Sequence, residues 1–239
     1  DFLATIAPGK AGLRLYVTEV NGLVIGDPIL SGAPLFTSWS PDGDRLAVHS
    51  GLNLSVLELQ EGRASIPVSA DARGFRVAAW TPEGELIFAE PLDSQAASVA
   101  IRIWEKENSK VETLYEIEGG VAFSFRPGTG ELNFSRTRDP ETGVFDGIWS
   151  LNLEKRESEP KQWVNGPVSS FFWSPDGEKL AVIRPAPSGS ARYAVNVVDS
   201  NGTFLGATEP FTPSTEMQTM FAFFDQYELS YRLWSPDSK

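Results

Sequence analysis

The side chains able to do chemistry are few. The chain holds no cysteine and one histidine, His49, so thiolate nucleophiles, disulfides, thiolate metal sites and multi-imidazole metal centres are all excluded. A serine hydrolase needs a nucleophile elbow of the form Gly-x-Ser-x-Gly, and none is present. The nearest phrase, Ser188-Gly-Ser-Ala-Arg192, has the wrong spacing and falls in an expected strand-to-strand loop. Carboxylate pairs do occur: Asp42 with Asp44, Glu83 with Glu85, Asp139 with Glu141. They lie on expected turns, where a solvated role is the plainer reading, since acid/base work needs burial or a specific partner. Asp42-Gly-Asp44 is too short to supply the oxygens of a calcium loop, and there is neither a Gly-x-Gly-x-x-Gly helix start nor a phosphate loop. No catalytic, cofactor-binding or metal-ligating residue is therefore assigned, and no cofactor is expected. Asn-x-Ser/Thr triplets at Asn53, Asn133 and Asn201 occur about as often as chance allows.

Two groups of residues remain as candidates for binding. Arg73, Arg76, Arg136, Arg138, Arg184 and Arg192 fall near one expected rim and could form a carboxylate-recognising mouth through the planar fork of guanidinium. The plainer reading is scattered surface arginines beside acids such as Asp71 and Asp139. Met217, Met220, Phe221 and Phe224 recur at i, i+3, i+4 and i+7, which predicts an amphipathic helix within about 214–226, with Thr215-Glu-Met-Gln218 as a capping box. Such a face either docks a partner or a membrane surface, or packs on its own domain.

The elements that position these residues follow from a repeat. The phrase Trp39-Ser-Pro-Asp-Gly-Asp-Arg-Leu-Ala-Val returns as Trp80-Thr-Pro-Glu-Gly-Glu-Leu-Ile-Phe, Phe125-Arg-Pro-Gly-Thr-Gly-Glu-Leu-Asn-Phe, Trp173-Ser-Pro-Asp-Gly-Glu-Lys-Leu-Ala-Val and Trp234-Ser-Pro-Asp-Ser-Lys, at intervals of 41, 45, 48 and 61 residues. Periods of roughly 40–50 residues belong to propeller blades or helical arrays. Each repeat holds strand-like runs with apolar residues at alternate positions, such as Leu54 to Leu59 and Tyr193 to Asp199, which selects blades. Pro presets the first central position of a type I turn, Asp tolerates the second, and Gly takes the left-handed position that releases the next strand. The third copy reads as a turn one residue longer, with a smaller aromatic before it. Trp39, Trp80, Trp173 and Trp234 close the incoming strands, where an indole fills the wedge between blades.

These repeats resemble the TolB-type β-propeller family, also found in the propellers of prolyl-oligopeptidase-like enzymes, over essentially the whole chain. The resemblance implies an all-β fold of four-stranded antiparallel blades, each running from an inner strand before the Trp outward. Blades are expected at about 31–69, 74–117, 120–164 and 167–208. A closing blade is expected from 1–30 plus 227–239, in which Glu228–Ser235 pairs with Phe2–Ala7 beside strands at Leu13–Val20 and Leu23–Leu30. The 38 residues before Trp39 and the five after Trp234 amount to one further period, which favours five blades. The rival is a piece of a six- or seven-bladed propeller.

A net charge of −12 opposes binding to nucleic acid, and no run nears the roughly 18 apolar residues of a membrane span. The chain begins at Asp1 rather than Met, which leaves room for a removed leader or anchor. The resemblance implies a bacterial or archaeal protein in the periplasm, at the cell surface or secreted. The expected function is non-enzymatic binding of a protein or peptide through rim loops and channel mouth, with a membrane-associated assembly as a further option. The alternative is the propeller of a larger hydrolase, or a propeller enzyme acting on a small molecule or sugar.

Overall fold

A computed structural model describes residues 2–10, 12–21, 26–60, 64–72, 78–95, 98–156 except 140–143, 158–186, 192–227 and 233–239. Among them the strands form five antiparallel sheets, each a meander of consecutive strands. The first has three: β1 (Phe2–Gly9), β2 (Gly12–Glu19) and β3 (Leu30–Gly32). The other four have four strands each. They are β4 (Leu35–Trp39) to β7 (Ser65–Ser69) through β5 (Arg45–Ser50) and β6 (Asn53–Glu58), and β8 (Ala79–Trp80) to β11 (Val111–Glu118) through β9 (Leu86–Pro91) and β10 (Ser98–Trp104). Then come β12 (Val121–Phe125) to β15 (Lys161–Val168) through β13 (Glu131–Asp139) and β14 (Val144–Asn152), and β16 (Ser170–Trp173) to β19 (Phe204–Ala207) through β17 (Lys179–Pro185) and β18 (Tyr193–Asp199). Two short helices follow, α1 (Thr215–Ala222) and α2 (Phe224–Tyr227).

The chain divides into two compact units, 1–91 with 100–115, and 92–99 with 116–239. In the first unit, Leu15 and Val17 of β2 pack with Leu35, Leu46, Val48 and Leu57 of the β4–β7 sheet. A second cluster joins Ala47, Leu54 and Val56 to Leu86, Phe88 and Trp104. In the second unit, Ala122, Phe145, Ile148 and Val164 pack with Phe171, Trp173, Leu180 and Val182. Apolar side chains on a strand need a neighbouring sheet to leave water, and within each unit consecutive sheets supply it.

The repeated Trp makes this packing directional. Trp80 Nε1 donates to Ser38 O at 3.0 Å, and Trp234 Nε1 to Phe172 O at 2.9 Å. Each acceptor is the residue before the Trp of the preceding repeat. Trp173 reaches the same level of the β12–β15 sheet at 3.0 Å through the Asn133 side-chain oxygen, Asn133 being the cross-strand partner of Ser124, which precedes Phe125. Asn133 is fully buried as an acceptor in this contact. Trp39 departs from the expected wedge: it is 37% exposed at the end of β4.

The turns repeat as well. Ser40 Oγ donates to Asp42 Oδ1 at 2.6 Å and accepts from Arg45 N at 3.0 Å. Ser174 does the same with Asp176 and Lys179, and Ser235 with Asp237 and Lys239. The hydroxyl bond, the largest cause at each site, holds the carboxyls of Asp42, Asp176 and Asp237 below their ordinary value. Gly43 and Gly177 sit at φ +73° and +70°, whereas the last copy puts Ser238 there at φ 58°. Ser238 uses that position: its hydroxyl accepts from Asp176 N and its carbonyl from Lys179 Nζ at 2.8 Å, tying the last turn to the one before.

Three expectations need correction. The turn after Phe125 is not longer: Phe125 pairs with Leu132 at the same spacing as Trp39 with Leu46 and Trp173 with Leu180, and the turn after Trp80 is one residue shorter, pairing with Leu86. What differs is that the left-handed glycine, Gly128, comes one position earlier, and Thr129 supplies the hydroxyl that accepts from Glu131 N. The third strand of the first sheet is Leu30–Gly32 rather than Leu23–Leu30, of which 23–25 lie outside the described residues. The helix cap is Ser214, not Thr215, because Ser214 has extended backbone and its hydroxyl accepts from Met217 N. The expected pairing of Glu228–Ser235 falls largely on 228–232, outside the described residues.

Trp173→Phe should lower stability by about 1–3 kcal/mol, because it strands the buried Asn133 oxygen, whereas Trp39→Phe should stay within about 0.5 kcal/mol. Urea midpoints read by circular dichroism check the order. Folding depresses the Asp176 pKa, so this group's contribution to stability is complete above its ordinary pKa of 3.8 and is lost as pH falls through the lowered folded value. Ser174→Ala should raise the Asp176 midpoint toward 3.8 in a carboxyl NMR titration and flatten the dependence of stability on pH in that window.

Candidate functional site

The second unit gathers most of the candidate binding residues at one end of its sheets. There β12 and β16 begin, β13 and β17 end, and the helical insertion attaches. Val121, first residue of β12, pairs with Arg136; Ser170, first of β16, pairs with Ile183, next to Arg184. Equivalent registers therefore bring the arginines of two different repeats to the same level.

Their environments then separate them. Arg136 is exposed, its Nε 3.3 Å from Asp146 Oδ2, and its guanidinium lies 4.6 Å from the centre of the Trp149 ring. Trp149 in turn stacks on buried Phe134 at 6.1 Å and 20° between planes, its cross-strand partner. An exposed ion pair contributes about 0–1 kcal/mol and a surface cation–π contact about 0.5–1 kcal/mol, enough to hold the guanidinium in place on its sheet. Arg184 instead clamps the two sheets together, donating from Nη1 to Asn165 O at 2.7 Å, and burial pulls its pKa down. Gly166, at φ +84°, makes room: a Cβ there would lie 3.2 Å from Arg184 Nη1. Arg192 donates to Pro210 O and so anchors the start of the insertion, while its side chain stays exposed. Arg73 and Arg76 lie outside the described residues, as does the side chain of Arg138.

The insertion turns its apolar face inward. Met220 and Phe221 are buried and Phe224 is fully buried. Phe224 meets Phe171 at 4.7 Å, Phe172 at 5.9 Å and Phe145 at 6.0 Å between ring centres, and Phe221 meets Tyr193 at 5.0 Å. Met217 is partly buried against the same cluster. The plainer of the two sequence readings describes this face, since these side chains are core. What the insertion leaves outside is Phe223, 41% exposed at the break between α1 and α2.

Trp149, Asp146 and Phe223 were absent from the sequence candidates. The first two emerge only from the pairing of β13 with β14. Phe223 sits at the break between α1 and α2, off the face that Met217, Met220, Phe221 and Phe224 share. Chemically, this end presents a positioned guanidinium on an indole, a second exposed arginine and an exposed phenyl ring. Among the described residues no three His, Asp or Glu side chains gather to hold a metal ion, and no helix is long and apolar enough to cross a membrane.

No family model matches the chain, and no characterised protein matches it in sequence. Solved structures do match its fold. The chain is similar to an oligogalacturonate lyase in complex with manganese, at TM-score 0.59 and 16% identity over 87% of this chain and 62% of that one. It is similar to TolB from Acinetobacter baumannii, at TM-score 0.59 and 18% identity over 89% of this chain and 53% of that one. A third similar structure is an acylaminoacyl peptidase of Pyrococcus horikoshii, at TM-score 0.55 and 15% identity over 86% of this chain and 36% of that one. The chain thus has the blade architecture of β-propeller proteins, and it spans between about a third and three fifths of the length of these relatives. One fold serves binding proteins and enzymes alike.

Phe224→Ala should cost about 3–5 kcal/mol, as expected for deleting a fully buried ring. Arg192→Ala should stay within about 1 kcal/mol. Urea midpoints for the two variants check the contrast between core and exposed positions.

Proposed function

We propose that this chain is a non-enzymatic β-propeller module that binds a protein or peptide partner through the end of its sheets carrying Arg136, Arg192 and the helical insertion. The observation that carries this reading is the Arg136–Trp149–Phe134 stack, a guanidinium held on a half-buried indole by a strand pair rather than by a loop. Arg and Trp are the residues that most often anchor binding hot spots, and side chains held in place before binding lose little entropy on contact. A planar fork on a fixed ring suits a partner carboxylate. The chain's net charge of −12 favours a partner whose remaining surface is basic. The resemblance of the repeat to TolB-type propellers supports a setting in the cell envelope or outside the cell, within an assembly.

A displayed library of random peptides, selected on the immobilised chain, tests the proposal. The expected result is enrichment of sequences with Asp, Glu or a free C-terminus among basic residues, with binding at least about tenfold weaker to Arg136→Glu. Absence of enrichment would overturn it, as would turnover of oligogalacturonides or acylated peptides by the chain, the outcome expected of a propeller enzyme.

A further inference from the structure

Asparagine followed by glycine carries chemistry of its own. The glycine nitrogen attacks the Asn side-chain amide carbon, ammonia leaves, and water opens the five-membered imide to aspartate or isoaspartate. Only water is consumed, and glycine has no side chain to hinder the attack. The chain holds three such pairs, Asn21-Gly22, Asn165-Gly166 and Asn201-Gly202, of which the first reaches outside the described residues. Ring closure turns the peptide plane between the two residues as a unit, so whatever holds that plane sets the rate.

At Asn201 short local bonds hold it. Gly202 N, the attacking atom, donates to Asp199 O at 2.9 Å, and Asp199 Oδ1 accepts from Asn201 N at 2.9 Å and Thr203 N at 2.8 Å. At Asn165 the ladder breaks. Asn165 pairs with Gly147, which offers no side chain to cover it, and the next pair is Val168 with Phe145, so Gly166 and Pro167 together stand opposite Asp146. Gly166 lies at φ +84°, and Pro167 has no N–H to give to the ladder. The Asn165 side chain is exposed and makes no hydrogen bond among the described residues. One side chain of another strand restrains its backbone carbonyl: Arg184 Nη1 donates to Asn165 O at 2.7 Å and to Pro167 O at 3.4 Å.

We propose that Asn165 is a self-modifying site, converting to aspartate and isoaspartate ahead of Asn201, with the Arg184 clamp setting its rate. Water that opens the imide at the former Asn165 backbone carbonyl leaves that carbon as a carboxylate facing Arg184, and a charge-assisted pair replaces the neutral acceptor. Either product places a negative charge beside Asp146, the acid that holds Arg136. That charge repels a carboxylate-bearing partner, a consequence that rests on the proposed partner-binding end, whereas the modification itself does not.

Peptide mapping by mass spectrometry of the whole folded chain, aged in mildly alkaline buffer, reads both sites without any partner. Asn165 should convert at least about tenfold faster than Asn201. In about 6 M urea, where no fold holds either plane, the two should convert at similar rates. Arg184→Met should speed Asn165 at least about threefold and leave Asn201 unchanged. If circular dichroism shows that variant misfolded, Asp199→Ala gives the matching reading, speeding Asn201 alone. Asn165 converting no faster than Asn201 in the folded chain, a contrast that persists in urea, or a folded Arg184→Met variant with the Asn165 rate unchanged would overturn the inference.

Discussion

The indole of the repeated tryptophan, donating its one N–H into the sheet before it, is the interaction on which the rest of the structure depends. A four-stranded sheet with apolar side chains on both faces cannot be stable alone, and burial between sheets is non-directional. It says that sheets stack but not at what level. Trp80 on Ser38 and Trp234 on Phe172 fix that level, because each acceptor stands one residue before the tryptophan of the preceding repeat. Where the third repeat has Phe125, the acceptor changes from backbone to the Asn133 amide, and Trp173 still finds its partner at the same height. Direct links between neighbouring turns then add to the indole contact. Arg126 reaches Gly177 O at 2.8 Å, and a Cβ on Gly177 would come within 2.5 Å of Pro127 O, so only glycine lets those two turns approach.

That division of labour leaves one end of the sheets for structure and the other for variation. The turns after Trp39, Trp173 and Trp234 carry hydroxyl–carboxylate pairs that preset the reversal. The opposite end has no such phrase, and there β13–β14 and β17–β18 carry arginines whose fates differ by local packing: Arg184 half-buried as a clamp, Arg136 displayed on Trp149. The insertion extends the same logic, covering Phe145, Phe171 and Phe172 with Phe224 while presenting Phe223.

Much of this was legible in the order of residues. The Ser-Pro-Asp-Gly phrase marks the turns because Pro, Asp and Gly each meet a dihedral requirement locally, and alternation marks the strands because β-structure has a period of two. The face of Met217, Met220, Phe221 and Phe224 was readable as helical for the same reason. Which way that face turned was not, since apolar periodicity is identical for a core face and a docking face. Asn133 as an indole acceptor, Arg184 as an inter-sheet clamp and Trp149 as a support for Arg136 depend on pairings 40, 19 and 13 residues apart in sequence, which no local pattern encodes. The cap at Ser214 was missed by one residue because Ser214 and Thr215 both carry a capping hydroxyl, and only the extended backbone at Ser214 decides between them.

Hydrogen exchange of the seven indole N–H groups, followed by nitrogen–proton NMR, tests the central claim most directly. Hydrogen-bonded, slowly exchanging indoles are expected at Trp80, Trp173 and Trp234, and a fast-exchanging one at the exposed Trp39. Exchange at Trp80, Trp173 and Trp234 as fast as at Trp39 would mean that the indole does not set the level of one sheet on the next.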